Sequence, residues 1–480
     1  MKRFLVLAWV ACSSGSSSGD PTALDQPLAQ NIAITQIAVL QTLEAPIMQD
    51  GSPADHSNLP IVALRDSVVR VSVNPQSGWQ PNPLTARARI VTTGPMGSQA
   101  QVFSATATID RATEEGDLAT SFDIPVPGVA IEPGSSITVV LNDTTGDAPD
   151  DASSYARWPQ DGSAADLGVQ SGGDHLRVMI VPVEYVADGS HRVPDTSDAQ
   201  IEKYRERFYQ LYPAAEVDVT VRDPWPVNVF IGADGSGMDT LLNALVKLRS
   251  SDQPDPDVYY YAAFEPTSSF AAYCGGGCVT GLSFTGQPVS VGIGYTDDAT
   301  MDTAVHEVGH AHGLDHAPCG GAAGADPSFP YKTGGIGVWG YDAIGQAMVD
   351  PGSYKDMMGY CDPKWISDYF YAKLFRRVRT DNHYYNDWMK GPDARASLRR
   401  FTLAPVAQTG DVRVSDTALR EPWITLGEPR EITWAGGTAT GYFFPYDHLP
   451  GGALYVPDEV PSGARVASLR PNEAAAILTR

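Results

Sequence analysis

Eleven residues restrict this chain more than any others. His306-Glu307-Val308-Gly309-His310-Ala311-His312-Gly313-Leu314-Asp315-His316 hold four of its nine histidines. On a helix, His306 and His310 lie one turn apart on the same face, about 6 Å along the axis. Two imidazoles placed this way can share one Zn2+ at about 2.0–2.1 Å. Glu307 sits beside the first of them, where it can reach a water on the ion without being a ligand. Gly313 has no Cβ, so the chain can leave the helix there and bring His316 round as the third ligand. Three protein ligands leave one position open, which distinguishes a catalytic zinc site from a structural one. His312 falls roughly 120° or more off the ligand face and is read as a surface residue or an outer neighbour, not a ligand. Asp315 is a candidate for orienting an imidazole, with a solvated carboxylate as the alternative.

The remaining sequence must supply a frame for that segment. At 480 residues there is chain for roughly three domains of about 150 residues. Lys plus Arg is 33 against 57 Asp plus Glu, a net charge of −24, so the basic footprint that nucleic acid requires is missing. A hydrophobic share of 42% with nine tryptophans argues against global disorder. The one long apolar run, at the N-terminus, is too short to cross a bilayer. Residues 31–142 alternate with period two, clearest at Val69-Arg70-Val71-Ser72-Val73 and Ser136–Leu141, which read as half-buried strands of an immunoglobulin-like β-sandwich. Residues 143–174, rich in Asp, Ser, Ala, Gly and Pro, read as a linker.

Between 175 and 380 the pattern changes. Strands are expected at His175–Tyr185, Glu216–Arg222 and Val258–Ala263. Helices are expected at Ser197–Leu211 (capped by Ser197 or Asp198), Asp239–Arg249 and Trp365–Val378. Two short strands, Cys278–Phe284 and Val289–Gly294, precede the histidine helix. Such alternation predicts a mostly parallel, twisted sheet with crossover helices. Residues 397–480 read as a separate small β-rich domain. Gly232-Ala-Asp-Gly-Ser-Gly-Met-Asp239 carries calcium-type oxygens but completes no loop pattern. It reads as a turn, and a calcium ion has no further support.

Lys2 and Arg3, the apolar stretch Phe4–Ala11 and then Cys12 have the layout of an export signal. The segment resembles a bacterial lipoprotein signal, which implies lipidation of Cys12; an ordinary signal peptide is the alternative. Residues 13–30 form a Ser/Gly-rich tether. Gly15-Ser-Ser-Ser-Gly19 matches a nucleophile-elbow pattern but lacks the strand before and the helix after it, and is set aside. The other four cysteines allow three pairings. Cys274 and Cys278 most easily close a local loop, leaving Cys319 for Cys361. A four-cysteine zinc site is the competing reading, although neither spacing is C-x-x-C.

The pattern H-E-x-x-H-x-x-G-x-x-H resembles the signature of the metzincin zinc peptidases. That resemblance implies a Met-containing turn beneath the metal, and Asp356-Met357-Met358-Gly359-Tyr360 looks like one, with Met358 as the methionine. It further implies that Tyr360 lies near the zinc and helps stabilise an oxyanion. His316-Ala-Pro-Cys319-Gly, Gly335-Ile-Gly-Val-Trp339-Gly and Met358-Gly-Tyr-Cys361 running into Trp365-Ile-Ser-Asp-Tyr-Phe-Tyr resemble secreted bacterial metzincins related to mucin-cleaving lipoprotein peptidases. This likeness spans roughly residues 175 to 380; Val69–Val91 with Trp79 is more weakly similar to the β-sandwich modules of that group. By the same resemblance, Cys319 and Cys361 brace the segment between the third histidine and the Met-turn.

The sequence therefore predicts an α/β plus β architecture: a metzincin-like catalytic domain between a β-sandwich and a small β-rich domain. The expected activity is that of an exported zinc endopeptidase acting on extracellular proteins or glycoproteins. It would hold one Zn2+ on His306, His310 and His316, with Glu307 as general base and Tyr360 assisting. An extended substrate would lie beside the edge strand near Val279–Phe284. The expected protein is a monomer, secreted or lipid-anchored to the cell envelope, and touches membrane only through that anchor. Two readings compete: a surface-tethered, non-catalytic binding protein on the same fold, and a zinc hydrolase of a non-peptide bond.

Overall fold

The computed structural model describes residues 24, 26–94, 97–143, 154–391, 396–407, 411–467 and 476–478. The export signal with Cys12, and the tether as far as residue 23, lie outside them. The chain divides into two compact units. One comprises the residues up to Ser171 together with Val338–Asp350; the other comprises Gly172–Gly337 and the residues from Pro351 onward.

The first unit is built from two antiparallel sheets. Ile32–Leu40 pairs with Glu44–Gln49 on one side and Ser67–Pro75 on the other, and Phe122–Val126 extends the sheet. In the second sheet Pro83–Gly94 lies between Gly97–Thr108 and Ser136–Asp143. The two strands expected to be half-buried are central and buried on both faces. Val69, Val71 and Val73 cover one face, and on the other Arg70 is buried too. Its guanidinium donates to the Ser121 hydroxyl and to the Glu114 and Glu115 carbonyls. Part of the expected linker is also sheet: Arg157–Trp158 and Ala165–Asp166 both pair with Ser136–Asp143. The hairpin Gly340–Asp342/Ala347–Val349 belongs to this unit, and Tyr341 packs with Ala38 and Leu40. The expected catalytic stretch 175–380 is therefore interrupted.

In the second unit, Glu216–Val221, His175–Tyr185, Val258–Phe264 and Val289–Ile293 run parallel in that order. Gly281–Ser283 closes the edge antiparallel. Four long helices, Asp198–Leu211, Met238–Asp252, Asp298–Ala311 and Asp368–Trp388, accompany this sheet. Their starts follow side-chain chemistry. Ser197, Asp297 and Ser367 each accept a hydrogen bond from a backbone N–H in the first turn of their helix. The last cap explains why that helix begins at Asp368 and not at Trp365, which lies in a short parallel pairing with Asp356.

The C-terminal residues do not form a separate domain. Their antiparallel sheet, with Phe401–Val406, Gly452–Pro457, Gly437–Pro445 and Glu428–Trp434 at its centre, has two apolar faces. One holds its own cluster, including Ile432, Phe443, Leu454 and Val456. The other places Phe401, Leu403, Trp423, Phe444 and Tyr455 in one core with Leu241, Leu245, Tyr260 and Val291. Strands buried on both faces, as Gly452–Pro457 is, need cover on both, and here the second face is covered by the α/β sheet and the helix Met238–Asp252.

Candidate metal centre

The helix Asp298–Ala311 carries His306 and His310 on one buried face, and their Nε2 atoms are 3.1 Å apart. Gly313 follows with φ +91°, a left-handed conformation that turns the chain out of the helix. His316 then returns with its Nε2 3.2 Å from that of His310. Each Nδ1 faces a backbone carbonyl: Met357 O at 2.8 Å for His306, Leu314 O at 2.7 Å for His310, Ala323 O at 2.6 Å for His316. A carbonyl can only accept, so each Nδ1 carries the proton and each Nε2 presents a lone pair. Burial, the largest influence on all three, lowers the ring pKa values, in His310 to about 4, and the rings are neutral at pH 7.

Three lone pairs thus converge with no proton between them, an arrangement that calls for a cation. Tetrahedral ligands about 2.05 Å from Zn2+ would be about 3.3–3.4 Å apart, so the observed 3.1 and 3.2 Å fit that ion closely. Among the described residues, these three are the one group of three or more His, Cys, Asp or Glu side chains gathered tightly enough to hold a metal. The set is compatible with a zinc site.

Glu307 is buried beside them, and its Oε2 has no hydrogen-bond partner. Burial, reinforced by the charge of Asp447, holds its pKa well above the usual carboxylate range. Gly281 of the edge strand leaves it room, because a Cβ there would stand 2.6 Å from Glu307 Oε1. Tyr360 is half-exposed, and its hydroxyl lies 3.1 Å from His316 Nε2. Met358 is fully buried beneath the helix. Its turn is fastened by the buried Asp356 carboxylate, which accepts from the N–H groups of Met358 and Ser367, both at 2.7 Å.

The other candidates fall into place around this centre. His312 is not a ligand, but neither is it at the surface. It is buried and stacks on Tyr259 with ring centroids 3.8 Å apart. Asp315 is exposed, and backbone carbonyls, not this carboxylate, orient the imidazoles. Cys274 bonds to Cys278 and Cys319 to Cys361.

Two features escaped sequence reasoning. The edge strand expected to receive substrate is already engaged at one end, since Thr285 N–H donates to Pro445 O and Asp447 N–H to Ser283 O. That pairing seats Asp447 with its Oδ2 3.5 Å from His310 Nε2. Nothing in the local sequence around Tyr446-Asp447-His448 signals a role, because the strand pairing alone brings it to the histidines.

Comparison with known proteins agrees with this geometry. Residues 233–412 match the family model Peptidase M66, a zinc metallopeptidase family, and the match supports a metallopeptidase. The chain is similar to dictomallein of Burkholderia mallei (strain SAVP1), at 27% identity over 258 residues, covering 47% of this chain and 34% of that protein. Dictomallein of Burkholderia pseudomallei (strain K96243) is 26% identical over the same length, with the same coverage. The chain thus spans about a third of the length of the curated relatives it matches.

Proposed function

We propose that this protein is an exported zinc endopeptidase of the metzincin type that hydrolyses peptide bonds of extracellular proteins or glycoproteins. The observation that carries this reading is the convergence of three neutral Nε2 atoms beside a buried, unpartnered Glu307 carboxylate oxygen. His306, His310 and His316 would hold the ion, which when bound supplies Lewis-acid chemistry toward water and a peptide carbonyl. Glu307 takes the proton of the attacking water on its free oxygen and returns it to the leaving amine. Tyr360, whose hydroxyl faces the same space, donates to the developing oxyanion. Export and anchoring through a lipidated Cys12 complete the proposal.

Zinc analysis combined with cleavage of casein and a heavily glycosylated protein, with and without a chelator, tests it. The expected result is one zinc per chain and chelator-sensitive cleavage. A protein that binds zinc but cleaves neither substrate would instead be the tethered binding protein or a hydrolase of a non-peptide bond.

A further inference from the structure

The C-terminal sheet brings an acidic side chain into the metal centre. Asp447 is buried, with 1% of its side chain exposed. It is clamped to the edge strand in both directions at 3.1 Å: its N–H donates to Ser283 O, and its Oδ1 accepts from Ser283 N–H. Its Oδ2 takes a hydrogen bond from His448 Nδ1 and is turned toward His310 Nε2, 3.5 Å away. That nitrogen carries a lone pair, because the proton of His310 is on Nδ1, facing Leu314 O. A carboxylate oxygen and a lone pair therefore face each other in a buried space, with the Glu307 carboxylate nearby. A protonated His448 offsets the Asp447 charge from one side, but it leaves the His310 lone pair facing the same oxygen, a repulsion that a cation between the two relieves. Asp447 stands outside the tight group of ligand atoms, which belong to the histidines alone, so its charge acts beside the ligands and does not replace one.

We propose that Asp447 is a positioning residue of the metal centre, one that raises the site's affinity for its divalent cation and couples that affinity to the docking of the C-terminal sheet on the edge strand. This inference rests on the metallopeptidase reading above. It makes residues 445–448 part of the peptidase rather than of an accessory module. Groups one layer out from metal ligands typically change affinity about 10- to 100-fold when removed.

The test is competition for zinc between a chromophoric chelator and the full chain, wild type against Asp447→Asn. The expected result is zinc affinity about 10- to 100-fold weaker in the variant. Equal affinities would overturn the inference and leave the peptidase reading standing. A wild type that binds no zinc brings down both. Hydrogen exchange on the wild type probes the coupling directly, should the variant not fold. Zinc is expected to slow exchange in peptides spanning 281–286 and 444–449 as well as 306–316. Slowing confined to 306–316 would overturn the coupling.

Discussion

The sulfur of Met358 lies 2.7 Å from the point where a Cβ on Gly309 would stand. Gly309 is in the interior of a helix, where Ala is ordinarily better by up to about 1 kcal/mol. Here the methionine is fully buried and has little room to yield. Overpacking of this kind costs about 1–3 kcal/mol. Gly309→Ala is therefore expected to lose up to about 2 kcal/mol on balance, and Met358→Ala, itself costly at a fully buried position, to cost less in that background than in the wild type. Denaturant midpoints for the single and double variants check this; a more stable Gly309→Ala protein would show that the contact is loose.

Glu307→Gln preserves shape and removes the proposed base. Peptide hydrolysis should fall by about 10²- to 10⁴-fold, while zinc content stays at the wild-type level because the three imidazoles are oriented by backbone carbonyls and not by Glu307. Undiminished cleavage by this variant would remove Glu307 from the chemistry.

How far the site could be read in advance depends on the range of the interactions. The three histidines, Glu307 and Gly313 fall within eleven residues, and one helical turn followed by the left-handed turn at Gly313 fixes their relation. The parallel strands also follow from local periodicity. Asp447 does not, because its place is set by a pairing with Ser283 across 164 residues of chain. The C-terminal segment is β-rich as expected, yet a β-rich pattern does not say which element covers a face, and Phe444 and Tyr455 share a core with Leu241 and Tyr260. Arg70 is a second case of long-range partners. Its polarity suggested a solvent-facing position, but Ser121, Glu114 and Glu115 satisfy it inside the protein.

Tyr360→Phe keeps the ring and removes the hydroxyl that lies 3.1 Å from His316 Nε2. Loss of a donor to a developing oxyanion costs about 10² or more in kcat. The substitution should lower kcat by that factor with KM little changed, since in the proposed mechanism the hydroxyl serves the transition state more than the bound substrate. An effect on KM alone would assign Tyr360 to substrate binding.

The first unit offers a pH test independent of the metal centre. Glu44 is buried, and its Oε1 lacks a hydrogen-bond partner. Burial, chiefly, with the charges of Glu115 and Asp123 acting against that of Arg70, pushes its pKa up to about 7. The folded protein therefore binds this proton more tightly than the unfolded chain, whose Glu titrates near 4.5. The contribution to stability is full below pH 4.5, falls as pH rises toward 7, and stays lost above it. Glu44→Gln removes the ionisation while Arg70 keeps Glu115 at 3.2 Å. The variant should then be more stable than wild type by about 3 kcal/mol at pH 8.5, a gap that narrows as the pH is lowered to 5. Calorimetric unfolding across that range decides it: a gap that stays constant with pH would mean that Glu44 carries its charge in the folded protein at every pH tested.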